Sequence, residues 1–206
     1  VGRAVAGVVF RLDRHLDRLE AGLAALLVVA PARDTLRAAI RDTLAANGLD
    51  DARIRLTVTA GRGVGRPDLR STRGPTILVV ADRAPEDPPP ARLAVASFRI
   101  DEARPLAFAK TANYLPSLLA LDEARAAGSD EAVLLNRRGH VAEGATSNLF
   151  AVVDRRLVTP PLSDGPLPGV TREVVIECAT RLAVPSEERS LTLEALAAAD
   201  ELFLTN

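Results

Sequence analysis

The 206-residue sequence contains no methionine and no tryptophan, and only one cysteine, one tyrosine and one lysine. A single cysteine, Cys178, excludes an internal disulfide framework. No run of eighteen apolar residues occurs, so the sequence offers no membrane-spanning helix. The longest apolar stretch near the start, residues 23–31, follows a charged helix-like segment and does not read as a signal peptide. Without an export signal, a cytoplasmic location is expected. Charge of neither sign prevails. The net charge of −1 leaves no electrostatic footprint for nucleic acid. His15 and His140 stand far apart and Cys178 falls in an apolar helical stretch, so no metal-ligand spacing and no nucleophilic triad is present. The missing methionine also bears on the ends. The chain begins at Val1 and stops at Asn206 directly after a strand-like run. Material is therefore expected to be missing at one or both ends.

Apolar residues make up 48% and charged residues 26%, which places the chain among soluble globular proteins. Its length suffices for one sizeable core or two small ones. Residues 8–12 read as a short strand. Asp13 can cap the helix that follows, because its carboxylate can accept from free N–H groups of the first turn. Leu16, Leu19, Leu23 and Leu27 recur at helical spacing until Pro31 breaks the pattern. A second helix is expected over 34–47, with Leu36, Ile40 and Leu44 on one face and Gly48 as its stop. Residues 53–60 alternate, with Ile54, Leu56 and Val58 on one side, as in a half-buried strand. The continuous apolar run 76–81 reads as a central strand, and 93–100 as another. The proline run makes 85–90 a loop. The pattern changes near 101–105, where a domain boundary is expected. A helix over 113–127 ends at Gly128. Strands follow at 132–136, around Val141, at 148–153 and at 157–159, then a helix over 170–182. Short elements at 188–191, 193–199 and 201–205 close the chain. The class is α/β (mixed α+β), with two domains over 1–102 and 103–206.

Lys110 is the first candidate for chemistry. All other members of the 26 Lys and Arg residues are Arg. On its own, one lysine reads as a surface residue. Against that reading, it follows apolar Phe108 and Ala109 and precedes an apolar helix. Arginine cannot replace lysine where an amine must lose its proton and form an imine. Glu143 sits between two strand-like segments in a turn with Gly144. A turn accounts for the backbone but not for an acid there, and a carboxylate at that place could pair with a pyridinium nitrogen. Gly169, Val170 and Thr171 open a helix, and free N–H groups with a Thr hydroxyl form a ready phosphate site. Most helices start in a similar way. Arg18, on an amphipathic helix, reads equally well as a solvated residue. Gly61, Gly63 and Gly65 lack the Gly-Lys-Ser/Thr ending of a nucleotide-binding loop and read as a glycine turn.

Taken in order, several pieces resemble one family. They are His15-Leu16-Asp17-Arg18-Leu19, Lys110-Thr111-Ala112-Asn113-Tyr114, Glu143-Gly144-Ala145-Thr146-Ser147-Asn148-Leu149-Phe150 and Thr159-Pro160. Leu167-Pro168-Gly169-Val170-Thr171-Arg172 and the closing Ala199-Asp200-Glu201-Leu202-Phe203-Leu204-Thr205-Asn206 complete the set. The chain resembles the class IV aminotransferases, which include branched-chain and D-amino-acid aminotransferases and aminodeoxychorismate lyase. The resemblance implies a two-domain fold type IV enzyme that uses pyridoxal 5'-phosphate. It also implies a homodimer with the site at the domain interface, and 103–206 as the larger, cofactor-binding domain. Lys110 would bond to the cofactor and shuttle the proton. Glu143 would pair with the ring nitrogen and Tyr114 would reach the phenolic oxygen. Leu167 would pack on a ring face. Arg18 and the segment Gly169, Val170 and Thr171 would hold the phosphate. The resemblance implies opening strands, with a Gly-Asp-Gly and Glu-Thr signature, ahead of Val1 and a second phosphate-binding turn after Asn206, the material expected to be missing. Amino acids and 2-oxo acids are the expected substrates of a transaminase, with the segment around Tyr114 closest to branched-chain members. An aminodeoxychorismate lyase, releasing pyruvate and 4-aminobenzoate, is the alternative. A truncated non-catalytic remnant is the third reading.

Overall fold

The computed structural model describes residues 2–65, 68–85 and 90–206. The chain divides into two compact units, Val1–Pro88 and Pro89–Asn206.

The first unit contains β1 (Gly2–Val5), β2 (Val8–Val9), α1 (Leu12–Ala25), α2 (Arg33–Asn47), β3 (Ala52–Thr59) and β4 (Thr76–Arg83). Its antiparallel sheet has the order β2-β1-β3-β4. β1 and β2 form a hairpin whose two-residue turn puts both Ala6 and Gly7 at positive φ, the geometry that matches the twist of the flanking strands. The expected strand over 8–12 is thus cut to two residues. Arg11 adopts a left-handed conformation and α1 begins at Leu12. Asp13 therefore lies inside the first turn rather than at the cap, and it pairs with Arg37 of α2. α1 also ends early, at Ala25, and Leu27 is left exposed at positive φ. α2 follows the expected stripe. Ile40 and Leu44 pack with Ala4, Ala52 and Ile54 into one core, and Gly48 closes the helix at φ 59°.

β4 is not central. Among the described residues it pairs with β3 only and ends the sheet, with Leu78 and Val80 exposed. A continuous apolar run does not by itself place neighbours on both sides. Between β3 and β4, Gly61 and Arg62 turn back on Arg73 and Gly74. A Cβ on Gly61 would come within 2.3 Å of the Arg73 carbonyl oxygen. Glycine is required there by close approach of backbone, and no helix lies between β3 and β4 among the described residues.

The second unit contains β5 (Leu93–Ile100), α3 (Leu115–Ala126), β6 (Glu131–Asn136), β7 (Val141–Gly144), β8 (Asn148–Val153) and β9 (Arg156–Thr159). It continues with a 3-10 turn (Leu162–Asp164), α4 (Val170–Arg181), β10 (Ser186–Glu188), α5 (Leu193–Ala197) and β11 (Glu201–Thr205). β5 runs parallel to β6 through the α3 crossover, and β7 returns antiparallel. The other sheet has the order β10-β9-β8-β11. Every residue of β6 is buried. Successive side chains of a strand point to opposite faces, so β6 serves two cores. Val133 and Leu135 join Val141, Leu149 and Val158, while Ala132 and Leu134 join Ala96, Ala120 and Ala124.

Because β5 pairs with β6, it belongs to the second unit. The division falls at Pro88 and Pro89, ahead of the expected boundary at 102/103. The loop expected over 85–90 falls largely, at 86–89, outside the described residues.

Candidate active site

Lys110 lies in the irregular segment between β5 and α3. Successive turn bonds build this segment, from Arg104 N–H to Asp101 O (3.1 Å) and from Ala109 N–H to Leu106 O (2.9 Å). Tyr114 occupies the N-cap position of α3, and Pro116 fixes the first turn, where its missing N–H costs no helical bond. Four residues apart, the chain's one lysine and one tyrosine meet: Lys110 Nζ donates to Tyr114 Oη at 2.5 Å. The amine is exposed and lies 5.2 Å from the Tyr114 ring centre.

Glu143 is the third residue of β7, with its side chain 15% exposed. One carboxylate oxygen, Oε2, accepts from the Leu167 N–H at 2.9 Å. The other, Oε1, lies 3.4 Å from Arg104 Nη2, which also donates to the Gly165 carbonyl at 3.0 Å. Burial pushes the Glu143 carboxyl above the usual carboxylate range. The Leu167 N–H, the Arg104 guanidinium and the Lys110 ammonium pull it the other way, in that order. The fold thus places Lys110 near enough for its charge to act on the Glu143 carboxyl.

The segment from Asp164 to Thr171 is fixed at several points. Asp164 is buried. Its Oδ1 accepts from Arg138 Nη2 (2.9 Å) and Asn136 Nδ2 (3.2 Å), and His140 Nδ1 stands at 3.4 Å. Asn148 Nδ2 donates to the Leu167 carbonyl at 2.9 Å. Gly169 caps α4 with extended backbone, and a Cβ on it would lie 1.9 Å from Asn148 Oδ1. Val170 and Thr171 are the first two residues of α4, where N–H groups have no partner within the helix. The Thr171 hydroxyl donates to the Asn206 carbonyl at 2.9 Å, which brings the end of β11 to the same helix terminus. Leu167 enters through its main chain, with its side chain half-buried. At the far end of β7, buried Glu131 accepts from the Thr146 and Ser147 hydroxyls and holds the β7–β8 turn.

Within the second unit the fold therefore joins Lys110 to Tyr114 and Glu143 to Leu167, and it places Gly169, Val170 and Thr171 at one helix terminus. Arg18 sits half-buried on α1 of the first unit. Sequence reasoning did not single out Arg104, Asn148 or Asp164. Asn148 carried a faint signal, since it stood in a matched segment. Arg104 carried none. It is one arginine among many, and its partners lie 39 and 61 residues further along the chain.

The donor set fits pyridoxal 5'-phosphate. It offers one primary amine, a buried carboxylate that feels that amine's charge, and an open helix N-terminus. The amino-transferase class IV family model matches residues 1–206. A Methanocaldococcus jannaschii protein, provisionally named a branched-chain-amino-acid aminotransferase, is 40% identical over 209 residues, covering 98% of this chain and 72% of that protein. The branched-chain aminotransferase of Thermoproteus uzoniensis, solved with norvaline, superimposes with a TM-score of 0.92 at 36% identity, covering 99% of this chain and 72% of that one. A Legionella pneumophila protein, provisionally named a 4-amino-4-deoxychorismate lyase, superimposes with a TM-score of 0.90 at 27% identity, covering 100% of this chain and 76% of that one. The family model over the whole chain and these relatives show that the chain belongs to the amino-transferase class IV family.

Proposed function

We propose that this enzyme is a transaminase that moves an amino group between an aliphatic, branched-chain-type amino acid and a 2-oxo acid. The observation that carries the reading is the pair formed by Lys110 Nζ and Tyr114 Oη in the unit that also holds Glu143. Pyridoxal 5'-phosphate is the cofactor of this class. It supplies a carbonyl that takes up the amino group and a ring that accepts the electron pair released at the substrate carbon. Lys110 would hold it through Nζ and, once released, carry the proton between carbon centres. Tyr114 Oη, already bonded to that amine, fixes its direction and would reach the phenolic oxygen. Glu143, held by the Leu167 N–H, would face the ring nitrogen. Leu167 would lie against the ring. Gly169, Val170 and Thr171 would receive the phosphate, and Arg18 is assigned to the phosphate by the family resemblance alone. On the same resemblance we expect a homodimer. No helix among the described residues is long and apolar enough to cross a membrane.

The lyase reading is favoured by the Legionella pneumophila neighbour, at lower identity than the branched-chain one. The two reactions separate cleanly. With leucine, valine, glutamate or D-alanine supplied in turn without an acceptor, a transaminase releases one equivalent of 2-oxo acid per site and then stops. A lyase given aminodeoxychorismate releases pyruvate repeatedly with no acceptor. Repeated pyruvate release, with no oxo acid formed from any donor, would replace the transaminase reading with the lyase.

A further inference from the structure

Arg104 lies outside every sequence segment that carries the family resemblance. It nevertheless makes the one ion pair to Glu143 among the described residues. Its side chain is two-thirds buried, and its guanidinium bridges the Glu143 carboxylate and the Gly165 carbonyl, while its Nη1 donates to Asp101 O at 3.2 Å. A planar guanidinium with donors in a fixed fork suits such a bridge, and its charge is permanent. The consequence is electrostatic. Glu143 already has a donor on each oxygen, the Leu167 N–H on Oε2 and Arg104 on Oε1. A carboxylate partly neutralised by a fixed cation stabilises a second cation less than a bare one does.

We propose that Arg104 is a positioning residue that sets how firmly a ring nitrogen facing Glu143 holds its proton. The inference rests on the proposed placement of the cofactor ring against Glu143. Arg104 holds the carboxylate in place and shares its charge, so the ring nitrogen gives up its proton more readily than it would beside an unshared glutamate. The charged groups acting on Glu143 are Arg104, from the turn before α3, and Lys110, which precedes α3. Of the two, Arg104 is the one in direct contact with the carboxylate, and its charge is permanent.

The test is the titration of the ring nitrogen, read by 15N NMR on holoenzyme loaded with ring-15N cofactor. Wild type is compared with Arg104→Gln, Arg104→Met and Arg104→Lys. Both neutral variants should move ring-nitrogen deprotonation upward by about one pH unit, and Arg104→Lys should stay near wild type. Cofactor bound at Lys110 with identical titrations in wild type and the neutral variants would overturn the role of Arg104 while leaving the functional reading intact. Loss of the fold in both neutral variants would assign Arg104 to the scaffold and overturn it equally. A wild-type protein that takes up no cofactor would overturn both.

Discussion

At Lys110 the constraint is chemical rather than steric, because an amine that bonds to a carbonyl carbon must first lose its proton and a guanidinium does not. The side chain is exposed and bonds only locally to Tyr114, so Lys110→Arg should fold normally. Borohydride reduction and peptide mapping should find labelled cofactor at Lys110 in wild type and none in the arginine variant. A label confined to the N-terminal amine of wild type would reject Lys110. Glu143 makes two predictions. Removing its charge in Glu143→Gln should retain the cofactor but slow turnover on the order of 10²-fold, and unchanged turnover would sink the assignment. The second concerns stability without cofactor. The folded-state carboxyl is raised by burial, so it keeps its proton where the unfolded chain has lost it. Its contribution is full below about pH 4.3, the unfolded value, and is lost as pH rises through the raised folded value. Urea midpoints of wild type should fall across that window, and those of Glu143→Gln should fall less. Parallel pH slopes would contradict the burial argument.

The junction of β8 with α4 is decided by one close approach. Asn148 opens β8 and reaches the Leu167 carbonyl, and its amide oxygen fills the space where Gly169 would carry a Cβ. Gly169→Ala must push Asn148 away or shift the segment that presents the Leu167 N–H to Glu143. Overpacking of this kind costs about 1–3 kcal/mol. The double variant with Asn148→Ala should recover part of that loss, since neighbouring substitutions are not additive. Strictly additive unfolding energies in this cycle would show that the contact does not constrain the junction. The same element scale explains the misread strand at 76–81. Its apolar run records what one strand carries, whereas its place at the end of the sheet depends on which other strands exist to pair with it.

For the molecule as a whole, the compact units divide at Pro88 and Pro89, with Lys110, Tyr114, Glu143, Leu167 and the start of α4 in the second and Arg18 in the first. On the proposed assignment of Arg18 to the phosphate, its charge matters more there than a neutral hydroxyl does. Charge-assisted bonds are roughly twice as strong as neutral ones. Cofactor titrations should therefore show a larger loss of affinity for Arg18→Ala than for Thr171→Ala. Thr171 already bonds to the Asn206 carbonyl, which gives its hydroxyl a second use. Equal and negligible effects of the two substitutions would remove both from the phosphate.

The helices α2 and α4 were legible to within a residue or so, because a 3.6-residue stripe and its glycine or capping signals are local. The amine, the carboxylate and the phosphate-type helix start were legible as residue types in order. β1 escaped notice because four residues are too few for an alternating pattern, and its hairpin depends on Ala6 accepting a positive φ. The assignment of β5 to the second unit was decided by its parallel pairing with β6, which no pattern within β5 specifies. The setting of Glu143 was decided the same way. Its two partners come from 39 residues before and 24 residues after it. By itself the sequence determined which groups are available and where local helices start and stop, since both follow from neighbours within a few residues. Only the tertiary structure decided that a buried acid would share its charge with Arg104, because that contact exists only once β7, the turn before α3 and the segment before α4 have packed together.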